Sequence, residues 1–303
     1  MAEKQSTKFP LESKVLPNPK AQPIMSLVIS NVGGPNAGQG TANKRKKAIA
    51  GILETVHPNV VLFQEFPWTG IRRHSTWKNI NIPAKYEYFG HQEASILYDK
   101  NELIVKKPNL TRFVRLHEEM TRKGKLTTGF SPLGRMCILE IKTKGVPLAH
   151  FLCISWHGSH NSKKETEIIN ELKNLLVFID KIANQMKLPF IIAGDFNLSY
   201  EKASAEINQH TVAIYEYTPL KRREGRLIDF YIASNTLPLA DITAVDWETV
   251  EGGEGATEIF DHDPVVATLM AHVPDPLSFE KRKSIATNKL SESEGKSRKS
   301  QSN

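Results

Sequence analysis

Cysteine is scarce in this sequence: Cys137 and Cys153 are the only two among 303 residues. Each sits within an apolar stretch that reads as a buried strand, so both are expected to be small core residues and no disulfide framework is indicated. Nowhere do about 18 apolar residues follow one another. The first residues, with Glu3, Lys4 and Lys8, also lack the apolar stretch of a secretory leader. No stable membrane insertion is expected, and the expected location is intracellular, cytoplasmic or nuclear. Apolar residues are sparse at both ends as well. Residues 1–22 carry Pro10, Pro17 and Pro19, and the stretch after Pro276 is rich in Ser, Lys and Glu without periodicity. Disordered tails are therefore expected at 1–22 and 275–303, flanking a single domain at 23–274.

Acidic charge is in the minority, and the net charge is +7. A basic surface attracts phosphate backbones and acidic membranes, but the location of the excess matters. Four lysines face two glutamates in residues 1–22, and seven Lys/Arg face four acids in residues 275–303, which leaves the body close to neutral. The short cluster Lys281, Arg282, Lys283 reads as part of a solubilising extension rather than an import or tethering signal. Within the body, Lys106, Lys107, Arg112, Arg115, Arg122, Lys123 and Lys125 face only Glu118 and Glu119. This segment reads either as a solvated loop or as a basic surface for a polyanion.

The body alternates β-like and helical stretches. About twelve strands are predicted, beginning near Ser26, Val60, Tyr86, Ala94, Glu102, Met136, Leu148, Phe190, Thr211, Leu227, Ile242 and Val265. Val60–Phe63 and Phe190–Ala193 are continuously apolar, as strands covered on both faces are. Helical spacing predicts one helix over about Lys163–Lys187, with a capping-box pattern from Ser162 and Glu165, and another over Asn43–Val56 that ends at His57-Pro58. Two packed sheets with helices outside would bury all these faces at once.

Polar residues follow the apolar stretches repeatedly, where a layered α/β fold places its ligands. Asn31 follows Leu27–Ile29, Glu65 follows Val60–Gln64, His157 follows Leu152–Trp156, Asp195 and Asn197 follow Ile191–Gly194, and Asp261-His262 precedes Val265–Ala267. Each has a plain structural explanation: Asn31 could form a turn with Gly33 and Gly34, Glu65 could pair with a surface lysine, and Asp195 could cap a helix starting near Ser199. Together they make the donor set of a hard-metal site with proton-exchanging imidazoles. Asp229 lies inside the apolar stretch Leu227–Ile232, where a carboxylate needs a partner, and His262 is the candidate partner.

In these segments the chain resembles the endonuclease/exonuclease/phosphatase superfamily, which includes deoxyribonuclease I-like nucleases. They are Ser30-Asn31-Val32, Leu62–Glu65, Ser155-Trp156-His157, Gly194-Asp195-Phe196-Asn197, Leu227–Phe230 and Asp261-His262-Asp263-Pro264, in the family's order. The resemblance implies an α/β fold, a four-layer αββα sandwich with two packed mixed β-sheets, and hydrolysis of phosphodiesters with Mg2+ or Mn2+. It implies Glu65 as the main metal ligand with Asn31 and Asp261 nearby, and Asp195 orienting the attacking water. Asn197 would hold a phosphate oxygen. His262 supported by Asp229 would act as general base or phosphate contact, and His157 would steady the phosphate and protonate the leaving oxygen. Arg135, in Gly134-Arg135-Met136, is implied as a phosphate-binding arginine. The chain departs from the pattern at Gly33, where many nucleases of the family carry an acid, and at Phe260, where Ser is commoner.

Three functions follow from this set: a nuclease with nucleic acid as partner, a phosphoesterase acting on a phospholipid or small phosphate ester, and a catalytically silent binding module. DNA against RNA, endo against exo cleavage, and oligomeric state are left open, with a monomer compatible.

Overall fold

Strand-forming stretches and the polar residues that end them are sorted by the fold into two sheets that share one rim. The computed structural model describes residues 21–33, 39–66, 82–91, 93–159, 164–207, 211–221 and 227–271. The first sheet joins β1 (Pro23–Asn31), β2 (Val60–Gln64), β3 (Tyr86–His91), β4 (Ala94–Asp99), β11 (Leu239–Ala244) and β12 (Val265–Met270), in the order β11-β12-β1-β2-β4-β3. The second joins β5 (Leu103–Lys106), β6 (Met136–Thr143), β7 (His150–His157), β8 (Phe190–Asp195), β9 (Val212–Tyr215) and β10 (Asp229–Ser234), in the order β5-β6-β7-β8-β10-β9. Both sheets are mixed: β1 and β2 run parallel, as do β7 and β8, and the other pairs are antiparallel.

Three apolar layers account for the stacking. Between the sheets lie Leu27, Ile29, Leu62, Ile96, Leu139, Phe151, Cys153, Ile191 and Tyr231. Outside the first sheet, α1 (Gln39–Val56) packs Ile49, Ile52 and Leu53 on Val61 and Phe63. Outside the second, α2 (Leu110–Arg122), α3 (Glu165–Met186) and α4 (Tyr200–Glu206) cover Ile138, Ile154 and Ile192. The result is the four-layer αββα sandwich, with two packed mixed sheets. Every residue of β2 and of β8 is buried, which is why Val60–Phe63 and Phe190–Ala193 are uninterrupted apolar runs rather than alternating ones. Gln22–Ala271 forms one compact unit; the predicted tails fall almost wholly outside the described residues. Both cysteines are buried free thiols, and burial pushes both thiols up from their ordinary pKa.

Polar ties cross between the sheets. Gln64 Nε2 donates to Ser155 Oγ (2.9 Å), and the Tyr231 hydroxyl lies 2.7 Å from the Val265 carbonyl oxygen. Gly194 makes the first possible. It has φ +150, and a Cβ there would lie 1.9 Å from the Trp156 carbonyl oxygen and 2.8 Å from Gln64 Nε2.

Several elements differ from the sequence expectation. The basic segment is helical: Asn109 caps α2 through Thr111 N, and Phe113, Leu116 and Met120 are buried. The helix carries its charges on the outside of the second sheet. Arg112 donates to Gln185, at the end of α3 that leads to the start of β8, so the N-terminus of α2 is at the pole opposite the ends of β7 and β8. α3 begins at Glu165 behind Lys164, with no side-chain cap. Glu165 therefore opens the helix instead of closing a capping box, and Ser162 lies outside the described residues. The strand expected from Ile242 to Trp247 runs from Leu239 to Ala244, because an irregularity between Ala240 and Thr243 shifts its pairing. Trp247 stands in a short 3-10 turn.

Candidate active site

Register gathers the polar residues at one rim. Parallel pairing of β1 with β2 puts Asn31 beside Gln64 and Glu65, and parallel pairing of β7 with β8 sets His157 directly opposite Asp195. Antiparallel partners bring in the rest by their starts: Asp229 faces Asp195 across β10 and β8, Arg135 precedes Met136, which pairs with Trp156, and Glu93 precedes Ala94, which pairs with Gln64. The start of β12 lies against the end of β1, which places Asp261 and His262 there too.

Asp195, 2 % exposed, is the centre. Its Oδ2 accepts from Asn31 Nδ2 (3.1 Å) and lies 3.6 Å from His262 Nε2 and 4.0 Å from His157 Nε2. Its Oδ1 accepts from the backbone N–H of Asn197 (2.8 Å). The carboxylate thus closes a local turn and does not cap α4. Asn31 cannot be rotated end for end, because its Oδ1 accepts from Gly33 N (2.9 Å) while its Nδ2 faces the carboxylate. Its turn with Gly33 and its place in the site are the same structure.

Each imidazole is held from behind by a carboxylate. His262 Nδ1 is 2.7 Å from Asp229 Oδ2, and His157 Nδ1 is 3.2 Å from Glu93 Oε2. Their Nε2 atoms face inward, His157 to Glu65 Oε1 (3.7 Å) and His262 to Asp261 Oδ1 (3.7 Å). For His262 such backing fixes the ring's orientation and raises its basicity. For His262 burial is the largest effect and lowers the pKa, but Asp229, by charge and hydrogen bond, together with Asp195 and Asp261 outweighs it and brings the value up to about 9. Burial and the charge of Asp229 raise the Asp195 carboxyl above its ordinary range, against the two imidazoles that lower it. His262 is thus a cation at neutral pH, lodged between Asp229 and Asp195. Trp247, fully buried, donates from Nε1 to the His262 carbonyl (2.7 Å) and stacks on Phe260 at 4.2 Å.

Glu93 was not found by the sequence reading, and Arg135 has a different place from the one expected. Glu93 stands at the β3–β4 connection, where a polar residue gives no signal beyond solvation. Arg135 spends Nη1 on the carbonyls of His157 (3.2 Å) and Gly158 (2.7 Å), with Glu93 Oε2 at 3.4 Å. In this geometry it first holds the turn that carries His157. Asn197, at φ +51, donates from Nδ2 to the same Gly158 carbonyl (3.1 Å). Glu65 is itself in the left-handed region at φ +59, which costs a non-glycine residue roughly 1–2 kcal/mol, and its N–H is held by the Glu93 carbonyl (2.8 Å). Its carboxylate lies over Gly33: a Cβ there would come within 2.2 Å of Oε2. Gly33 leaves the room that an acidic side chain would take.

No family model matches the sequence, and no curated protein sequence does. Solved structures do match in fold. An endonuclease/exonuclease/phosphatase family protein from Bacteroides thetaiotaomicron superposes with a TM-score of 0.60 at 15% identity, over 84% of this chain and 100% of that one. The chain has the endonuclease/exonuclease/phosphatase fold. The same fold is found in the Bacteroides thetaiotaomicron mannosyl-6-phosphatase (TM-score 0.58, 15% identity, 81% of this chain and 99% of that one). It is found again in D. rerio TDP2 complexed with a single-strand DNA product (0.55, 15%, 81% and 98%).

Within this fold the donor set suits a hard divalent cation. Glu65 and Asp261 are partly exposed, with side chains 26% and 39% accessible. Carboxylate and amide oxygens are the ligands that Mg2+ and Mn2+ prefer. Asp195, Asp229 and His262 also fall within 4.8 Å of one another, but there the imidazolium already supplies the positive charge between the carboxylates. The rim therefore has oxygen donors at Glu65, Asn31 and Asp261 beside the buried Asp195, Asp229 and His262. Among the described residues, no helix is long and apolar enough to cross a membrane.

Proposed function

We propose that the chain is a divalent-metal-dependent phosphodiesterase. The observation that carries this is the placing of Asp195 between two imidazoles, each backed by its own carboxylate. A phosphodiester repels nucleophiles, so hydrolysis needs its oxygens neutralised and two in-line oxygens served by proton transfer.

Glu65 would hold Mg2+ or Mn2+, with Asn31 and Asp261 alongside, and the cation when bound supplies Lewis-acid stabilisation of the phosphoryl charge. Asp195, oriented by Asn31 and by the Asn197 N–H, positions the attacking water and draws its proton. His262, cationic because of Asp229, contacts a phosphoryl oxygen. His157, steadied by Glu93, steadies the phosphate and protonates the leaving oxygen. Asn197 offers its second amide N–H to the phosphate, and Arg135 acts by fixing the His157–Gly158 turn.

A nucleic acid is the first substrate class, supported by this set and by the single-strand DNA product bound to D. rerio TDP2. A small phosphate ester is the second, and a specific observation favours it: the basic charges of α2 lie on the outer face of the second sheet, with Arg112 at the far pole. Cleavage of single- and double-stranded oligonucleotides, measured beside chromogenic phosphodiesters and monoesters in Mg2+ and in Mn2+, separates the two. Turnover of small esters alone would remove the nuclease reading. No turnover of any phosphoester in either metal would remove both.

A further inference from the structure

The buried face of α3 is made of Leu172, Leu175, Phe178, Ile179 and Ile182, and Glu171 is buried among them. A carboxylate on such a face persists only where hydrogen-bond donors meet it. For Glu171, 9 % exposed, two come from Ser159: the hydroxyl donates to Oε1 (2.8 Å) and the backbone N–H to Oε2 (3.3 Å). Ser159, itself buried, stands two residues past His157 in the turn that leaves β7. The nearer part of that turn is held by groups of the rim. Arg135 Nη1 donates to the His157 and Gly158 carbonyls, Asn197 Nδ2 donates to the Gly158 carbonyl, and the Gly158 N–H donates to the Asp195 carbonyl (2.6 Å). A Cβ at Gly158 would lie 2.4 Å from the Phe196 carbonyl oxygen, so the turn rests directly on the chain that follows β8. Glu171 grips its far end from the helix layer.

We propose that Glu171 is a positioning residue for His157: through Ser159 it closes the turn after β7 from the helix side, and so fixes the angle at which the imidazole stands between Glu93 and Glu65. The ring has little latitude, with Nδ1 3.2 Å from Glu93 Oε2 and Nε2 3.7 Å from Glu65 Oε1. A misplacement of about 1 Å at a reacting group can cost roughly 10²-fold in rate. The kinetic consequence rests on the proposed contact of His157 with the phosphate; the positional one does not.

The test is NMR of the imidazole nitrogens of the full chain in EDTA, with the His157 signals identified by their loss in His157→Gln. Steady-state kinetics on a phosphodiester in Mg2+ accompanies it, for wild type, Glu171→Ala and Glu171→Gln. In Glu171→Ala the His157 signals are expected to move, and kcat to fall roughly 10- to 100-fold with a smaller change in KM. Glu171→Gln keeps an oxygen for the Ser159 hydroxyl and loses the acceptor for its N–H, so its signals and its kcat are expected between those of the other two. A Glu171 that served only the packing of α3 would lower the unfolding temperature of Glu171→Ala and leave its His157 signals and kcat as in the wild type; that result overturns the proposal, and so does a Glu171→Gln no better than Glu171→Ala. Should Glu171→Ala fail to fold, Ser159→Ala decides, since it removes only the hydroxyl: its His157 signals are expected to move, and unmoved signals overturn the proposal. Absence of turnover by the wild type would remove the phosphodiesterase reading and leave the decision to the His157 signals, which need no substrate.

Discussion

Replacing Asp229 by Asn keeps the shape of the site and removes one charge, which makes it a direct probe of the His262 pair. The two groups are 2.7 Å apart and almost wholly buried. An imidazole with a pKa of about 9 folded and 6.5 unfolded binds its proton more tightly in the native state. The stability it contributes is therefore complete below pH 6.5 and is lost as pH rises through about 9. Linkage makes that contribution about 3 kcal/mol. In Asp229→Asn only Asp195 and Asp261 remain to oppose the burial that lowers the pKa, so most of this pH dependence should vanish. Urea unfolding in EDTA at pH 6 and at pH 9.5 measures it, and taking the difference between wild type and variant cancels the other titrating groups. The wild type is expected to lose about 2–3 kcal/mol more than the variant between those pH values. Equal losses in the two proteins would refute the claim that Asp229 holds His262 cationic.

Glu93→Gln should lower turnover roughly 10- to 100-fold by releasing His157 from its carboxylate, while the half-exposed side chain makes the stability change less than about 1 kcal/mol; steady-state kinetics beside thermal unfolding separates the two. Gly33→Ala should displace the Glu65 carboxylate and weaken Mg2+ binding with little change in stability, read by calorimetry. Phe113→Ala should cost about 3–5 kcal/mol in denaturant unfolding because Phe113 lies on the buried face of α2, whereas Arg115→Ala on the exposed face should stay within about 0.5 kcal/mol. Similar small effects for both would mean that this segment does not pack as a helix.

Much of the fold was legible because its strands are covered on both sides. Val60–Gln64 and Phe190–Ala193 could hardly be anything but buried strands, and a polar residue at the end of such a stretch has few places to go but the rim. That logic found Asn31, Glu65, His157, Asp195 and His262. Asp229 was legible for the opposite reason, as a charge inside an apolar strand that required a partner. The α2 helix was missed because its charge count drew attention away from Phe113, Leu116 and Met120, which recur at helical spacing behind Asn109. Glu93 was not legible at all: a glutamate in a hairpin connection looks solvated, and only the register of β2 with β4 brings it to the rim. The edge of β11 shifted because an irregularity in pairing leaves no mark in apolar periodicity.

The central claim is that Asp195, held between two imidazoles, activates water for attack on a phosphodiester. Its most direct test is the metal-dependent turnover of one phosphodiester substrate by wild type and by Asp195→Asn, with unfolding curves confirming that both are folded. The account predicts turnover by the wild type that chelation abolishes, and a loss of roughly 10²- to 10⁴-fold in Asp195→Asn. A folded Asp195→Asn with wild-type turnover would contradict it.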